Sequence, residues 1–341
     1  MHMQAIVQRR YGTPDELQIE SIARPTCGPD EVLVNVRAAG VDRGTWHLMR
    51  GEPYLLRLGF GFRGPKNPVP GLDLAGVVVA TGSNTSRFRL GDEVFGTGKG
   101  SFAEFAVAKE IKLALKPSSL TFGQAAAVPV SGQTALQGLT EVGQLQAGQK
   151  VLITGASGGV GTFAVQIAKA LGAEVTGVCS AAKTDLVRSL GADHTIDYTK
   201  EDFAAAGQHY DLILDLSGNS TLRRLRSTLT TRGTAVIAGG EEGGRWLGGN
   251  DRQLRAHLFS PFVKQRLTSL IGKEHYAILE RLTTLIENGQ VTPSIERTYP
   301  LNEAPTALRH LESGKARGKL VITLSPTSNG HKASPTSEGN Q

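Results

Sequence analysis

The stretch Lys150–Gly161 constrains this chain more than any other. Lys150-Val-Leu-Ile-Thr154 is a compact apolar run, and Gly155-Ala-Ser-Gly-Gly-Val-Gly161 follows at once. Val160, Ala164, Ile167, Ala168 and Leu171 then recur at helical spacing, and Glu174–Cys179 is again strand-like. A glycine turn between a strand and a helix lets the backbone approach a pyrophosphate. The helix N-terminus adds unpaired N–H groups and the positive end of its dipole. The spacing is G-x-x-G-x-x-G over Gly155, Gly158 and Gly161, one residue longer in the turn than G-x-G-x-x-G. It predicts a dinucleotide site lined by Gly155, Ser157, Gly158, Gly159, Val160 and Gly161. The alternative is a turn kept tight for packing alone.

The alternation of strand and helix continues. A helix over Ala182–Leu190 stops at Gly191, a helix fills Thr221–Thr231, and strands fall at Thr195–Asp197, Asp211–Leu216 and Thr234–Ala238. This predicts an α/β, doubly wound parallel sheet covered on both faces. Upstream, Gln4–Gln8, Glu31–Ala38, Ala75–Ala80, Glu93–Phe95 and Phe102–Val107 read as short strands between turns, mainly antiparallel. Downstream, Arg266–Ile271 and Lys319–Leu324 read as strands, and Glu274–Glu287 and Ala304–Glu312 as helices. The chain therefore divides into a mainly β part (1–124), an α/β part (125–272), a return segment (273–325) and a polar, disordered tail (326–341).

The end of the second strand of the α/β part selects the dinucleotide. An NAD site places Asp or Glu about 20 residues past the glycines to hold the ribose 2′-hydroxyl. Here Ser180 stands 19 positions after Gly161, with Lys183 just beyond. A hydroxyl and an ammonium accept a 2′-phosphate that a carboxylate would repel, which favours NADP(H). The alternative makes Ser180 a helix cap and Lys183 a solvated lysine.

Composition excludes other classes. Two cysteines cannot build a disulfide framework or a four-thiolate zinc site. The charge is 37 basic minus 31 acidic residues, +6, with no polybasic run, so no nucleic-acid partner is expected on charge grounds. Aromatic residues, at 6%, are too sparse for a stacking platform. No apolar run approaches the ~18 residues of a membrane span. The N-terminus lacks the apolar core of a signal peptide, so a cytoplasmic location is expected. Glycine, 42 of 341 residues, approaches twice its usual share of about 7%.

The chain resembles a medium-chain dehydrogenase/reductase of the zinc-independent, quinone-oxidoreductase type. The resemblance rests on Gly71-Leu-Asp-Leu-Ala-Gly76, Gly91-Asp-Glu-Val-Phe95, Gly100-Ser-Phe-Ala-Glu-Phe105, Ser131-Gly-Gln-Thr-Ala135, Thr154–Gly161, Leu190-Gly-Ala-Asp193 and Ala316-Arg-Gly-Lys-Leu320, in that order. It implies a Rossmann cofactor domain inserted in a mainly β, GroES-like substrate domain, a cleft between them, and homodimers through the last strand of the sheet. Within it Lys183 and Tyr198 match 2′-phosphate ligands and Ser180 their neighbour. Thr134 matches a position near the nicotinamide ribose, and Asn219 a frequent cofactor contact. Asp42, Gly239 and Lys319 complete the expected cofactor set.

The resemblance also places the zinc ligands of related alcohol dehydrogenases at Asp42, Leu72-Asp73 and Val130. Leucine and valine cannot ligate, whereas catalytic zinc keeps three protein ligands, so no metal is expected. Without a Lewis acid, reduction of an activated acceptor is easier than oxidation of an alcohol. Many relatives carry Asn-x-x-Asp where this chain has Asp42 and Thr45, so inherited catalytic roles do not transfer directly. Thr45 and Thr134 are candidate donors to a developing oxyanion, and His47 is a candidate proton donor or merely a helix histidine. Tyr54, in the apolar loop 51–64, and Trp246, in a second glycine cluster (Gly239–Trp246), are candidate substrate contacts. The expected activity is NADPH-dependent reduction of a quinone. The alternatives are an enal/enone double-bond reductase and an NADPH-binding structural or RNA-associated protein without turnover.

Overall fold

The computed structural model describes residues 1–205, 207–239, 244–248, 250–260 and 263–325. The expectation of a disordered tail over 326–341 lies outside these residues.

The chain opens with an antiparallel ribbon, β1 (His2–Val7) and β2 (Gln18–Ala23). Then come β3 (Glu31–Val41), helix α1 (Arg43–Arg50), the short α2 (Arg57–Phe60), β4 (Asp73–Thr81), β5 (Glu93–Thr97), β6 (Phe105–Lys109) and β7 (Leu113–Leu115). Strand β3 is the hub. It pairs antiparallel with β4 along one edge and with β6 along the first half of the other. Val32, Leu33, Val34 and Val36 are all buried, because both of its faces are covered. The expected strand at Phe102–Val107 begins only at Phe105. The Phe102 N–H is committed to Pro70 O and its carbonyl to Ile6 N, so it belongs to a crossing rather than to the ladder.

Helices α3 (Phe122–Ala126) and α4 (Pro129–Gln137) lead into β8 (Lys150–Thr154), α5 (Gly159–Ala170), β9 (Glu174–Cys179), α6 (Thr184–Ser189), β10 (His194–Asp197), β11 (Tyr210–Asp215), α7 (Leu222–Ser227) and β12 (Leu229–Ile237). After α8 (Gly244–Leu247) and α9 (Asn250–Phe259) comes β13 (Arg266–Ser269). These strands form an all-parallel sheet of order β10-β9-β8-β11-β12-β13, the doubly wound arrangement expected. Alternate residues serve opposite faces, as the period of a strand requires. Val151 and Ile153 join Phe163 of α5 and Leu282 in one core, while Leu152 joins Leu225 of α7 and Ala256 of α9 in another.

Two expected helices are shorter than anticipated. The helix over Thr221–Thr231 ends at Ser227, where the Thr228 hydroxyl turns back onto Arg224 O and Leu225 O and Leu229 starts β12 opposite Tyr210. The helix over Ala182–Leu190 is a 3₁₀ turn (Ala181–Lys183) followed by α6.

The last stretch carries α10 (Tyr276–Glu287), β14 (Ile295–Pro300), α11 (Ala304–Glu312) and β15 (Lys319–Thr323). His275 starts α10 two residues later than expected, because its ring accepts from Ala277 N at 3.2 Å as a cap. Strand β15 pairs antiparallel with the second half of β3, completing a seven-stranded sheet, and parallel with β14. Three glutamines stitch this return to the parallel-sheet core. Gln137 exchanges two bonds with Lys273, Gln166 exchanges two with Thr292, and Gln133 Oε1 accepts from His275 N. The return brings residues 313–319 against the glycine turn, where Gly318 N donates to Ser157 O at 2.9 Å.

Candidate functional site

A cleft of about 950 Å³ opens at the C-terminal ends of β8, β9, β11 and β12, between the parallel sheet and the β3–α1 corner. Every residue expected to hold the cofactor lines it: Asp42, Thr134, Gly155, Ser157, Gly158, Gly159, Val160, Gly161, Ser180, Lys183, Tyr198, Asn219, Gly239 and Lys319. His47 lines it too. Crevices outside the strand ends of open α/β sheets are where such sheets bind ligands.

The centre of the cleft is backbone. Gly155 has φ +66°, a left-handed conformation natural to glycine. A Cβ on Gly161 would lie 2.2 Å from Gly155 O, so the first turn of α5 can pack on the loop only without a side chain. Gly158 caps α5 with no side-chain bond, which leaves the first N–H groups of the helix to an anion. These features fit a pyrophosphate.

One end of the cleft is polar and basic. Lys183 Nζ donates to Gly314 O at 3.0 Å and Ala316 O at 2.8 Å, so two of its three donors cross to the return segment. It is therefore a strut and not a solvated lysine. Burial lowers its pKa from 10.5. Ser180 precedes the 3₁₀ turn but makes no side-chain cap, so its hydroxyl is not spent on the backbone there. Arg224 and Phe203, which sequence reasoning passed over, also line the cleft. The guanidinium lies 4.3 Å from the Phe203 ring and pairs with Asp202 at 2.7 Å. Arg224 lies in an ordinary basic stretch, and nothing local marks it.

The other end is built of side chains committed to each other. Asp42 caps α1, accepting from Thr45 N at 2.8 Å and from Thr45 Oγ1 at 3.1 Å. Thr45 is fully buried beneath the cleft and does not line it. Thr134 donates its hydroxyl proton to Val130 O at 2.7 Å, as threonines in helices often do, and so turns only lone pairs outward. His47 Nδ1 lies 2.9 Å from Glu52 O, which requires a proton on Nδ1 and leaves Nε2 an acceptor in the neutral ring. Beneath them Asp73 is fully buried; its Oδ1 accepts from Val130 N at 2.9 Å and its Oδ2 meets Lys319 Nζ at 3.2 Å. Burial pushes the Asp73 carboxyl up to about 7 against the opposing pull of Lys319. Asp42 is thus occupied as a cap, and Asp73 by an ammonium.

Tyr54 and Trp246 do not line the cleft. Their rings meet edge to face at 5.3 Å, joining the 51–64 loop to the segment after β12, with Trp246 75% exposed.

Comparison with known proteins gives these features a family. Residues 28–118 match the family model "Alcohol dehydrogenase GroES-like domain", and residues 190–322 match "Zinc-binding dehydrogenase". The chain is 34% identical to the NAD(P)H oxidoreductase RTN4IP1, mitochondrial, of Mus musculus, over 94% of this chain and 89% of that one. It is 32% identical to the NADPH-dependent alkenal/one oxidoreductase, chloroplastic, of Arabidopsis thaliana, over 94% and 79% of the two chains. The quinone oxidoreductase from Coxiella burnetii superposes with a TM-score of 0.82 at 28% identity, over 95% of this chain and all of the other. The chain belongs to the medium-chain dehydrogenase/reductase superfamily, as a zinc-independent member of the quinone oxidoreductase type.

Proposed function

We propose that the protein reduces a quinone or an α,β-unsaturated carbonyl with NADPH and without a metal. The observation that carries the reading is the cleft's basic end. Lys183 and Tyr198 line it with Ser180, and Asp42, at the opposite end, is the lone carboxylate among the described lining residues. When bound, NADPH supplies the hydride. Gly155–Gly161 and the uncapped N-terminus of α5 hold the pyrophosphate, and the third donor of Lys183 meets the 2′-phosphate. Asn219, Gly239 and Thr134 flank the nicotinamide half, and Lys319 balances the charge of Asp73 beneath that end. An electron-poor carbon that accepts hydride becomes a resonance-stabilised oxyanion, so the protein has to position the rings, exclude water and tolerate that charge. His47 lines the cleft and, protonated on Nε2, is one proton donor; solvent is the other source. Tyr54 and Trp246 do not line the cleft, so their part is at its outer approach, where Leu58 and Phe62 of the Tyr54 loop are also exposed and suit a bulky apolar acceptor.

Initial rates of NADPH oxidation with a quinone and with a 2-enone test this. Turnover on either supports the reading, and the ratio decides between them; the named activity of the Arabidopsis relative favours the enone. NADPH binding with no turnover over a broad acceptor panel would replace it with a cofactor-binding protein of another role, RNA-associated or structural. We further take 125–272 as the cofactor domain and 1–124 with 273–325 as the substrate domain. A homodimer through the outer edge of β13 is proposed because that strand ends the parallel sheet with no further strand beside it among the described residues. Light scattering checks it. Two free cysteines suit a reducing, cytoplasmic setting, although the mouse and Arabidopsis relatives are named mitochondrial and chloroplastic. Among the described residues no helix is long and apolar enough to cross a membrane.

A further inference from the structure

A buried charge pair beneath the cleft has no part in the site described so far. Asp215 ends β11 fully buried, and its Oδ2 lies 2.8 Å from Arg252 Nη1, an ion pair without hydrogen-bond geometry. Its other oxygen accepts from Thr154 Oγ1 at 2.7 Å, and its backbone carbonyl accepts from Ala238 N and Gly239 N, each at 3.0 Å. Thr154 Oγ1 in turn accepts from Leu216 N at 3.0 Å and Ser217 N at 3.2 Å. Arg252 reaches further. Nη1 donates to Ser220 O at 2.7 Å, and Nη2 donates to Gly239 O at 2.8 Å. One guanidinium therefore joins the carboxylate at the end of β11, the loop that follows it and the residue that follows β12. It does so from the first turn of α9, just after the glycine cluster.

This arrangement has an electrostatic reason. Thr154, Ser217, Ser220 and Gly239 line the cleft, so Asp215 sits under ground that a bound polyanion would cover. An unbalanced buried carboxylate there would work against any phosphate above it. The planar fork of arginine balances the charge while directing rigidly placed N–H groups at two carbonyls, whereas the rotatable ammonium of a lysine imposes no such fixed directions.

We propose that Arg252 is a positioning residue for the cofactor. It cancels Asp215 and clamps Ser220 and Gly239 as the floor beneath the nicotinamide half. It touches no reacting atom, and the assignment rests on the reading of the cleft as an NADPH site.

The test compares wild type, Arg252→Lys, Arg252→Gln and the double variant Asp215→Asn/Arg252→Gln. Fluorescence titration gives Kd for NADPH, and steady-state rates with a quinone give kcat and KM. NADPH deuterated at the transferred hydride gives the isotope effect, and thermal unfolding gives Tm. Arg252→Gln is expected to lower Tm and weaken NADPH by about tenfold or more, because a buried charge loses its partner. The double variant removes both charges, so Tm and Kd return towards wild type. Its kcat stays about tenfold low with a larger isotope effect, because the Ser220 and Gly239 carbonyls have lost their donors. Arg252→Lys keeps Kd close to wild type and loses kcat. If Arg252→Gln does not fold, the double and lysine variants decide alone. Recovery of kcat together with Tm in the double variant would reduce Arg252 to a charge partner and overturn the proposal, as would a folded Arg252→Gln with unchanged Kd and kcat. A wild-type protein that does not bind NADPH would sink the reading of the cleft itself, and this inference with it.

Discussion

The middle of the cleft and its far end at Asp42 are made in different ways. The middle is backbone: a turn with φ +66° at Gly155, a helix end without a side-chain cap, and a glycine where a Cβ would lie 2.2 Å from a carbonyl. The reaction end is side chains: Asp42 on Thr45, Thr134 on Val130 O, Lys319 on Asp73. Backbone sites depend on which residues are absent, so single added atoms break them. Side-chain sites depend on partners being present, so they fail by losing one.

That contrast orders the predictions. Gly161→Ala should do the most damage. The atom it meets is backbone and cannot swing aside, so stability falls by about 3 kcal/mol or more and NADPH binding is lost with the turn; thermal unfolding and fluorescence titration read both. At the far end, Lys319→Met strands the buried Asp73 carboxyl and should cost about 3–5 kcal/mol, measured by urea unfolding. A fully stable Lys319→Met would mean that Asp73 is protonated and needs no partner.

Lys183→Ala should weaken NADPH by about 10–100-fold, the range of a charge-assisted hydrogen bond, and NADH much less. Equal losses would make Lys183 a strut only. The same residue sets a pH limb. In the proposed role Lys183 meets the 2′-phosphate only when charged, and burial lowers its pKa from 10.5. NADPH affinity should therefore fall as pH rises through that lowered value, earlier than for an ordinary lysine, while NADH affinity stays flat over the same limb. The smallest effect belongs to the mouth. Trp246→Ala removes an edge-to-face contact of about 0.5–1.5 kcal/mol and should raise KM for bulky quinones without moving Kd for NADPH.

The same contrast governs what can be read from the sequence. The glycine-turn middle is contiguous, so the turn at 155–161 and its flanking strands are legible as a pattern of glycines and apolar residues. Ser180, Lys183 and Tyr198 fall at recognisable offsets from it and line the cleft. The reaction end is assembled from afar. Lys319 and Asp73 are 246 residues apart, and Arg252 meets Asp215 across α7 and β12. No local spacing encodes such pairs. Thr45 is a different case. Its position three residues after Asp42 is a capping pattern, and that local role takes its hydroxyl away from the cleft. The helix expected over Thr221–Thr231 stops short for a related reason, since Thr228 spends its hydroxyl on the preceding turn and the chain passes at once into β12.

Hydride transfer from NADPH with no metal in the cleft, where an ammonium from Lys319 already balances Asp73, is checked by following NADPH oxidation with a quinone or 2-enone before and after exhaustive chelation. The same rate is expected before and after, with no gain on adding zinc. Loss of turnover on chelation, restored by zinc, would contradict it.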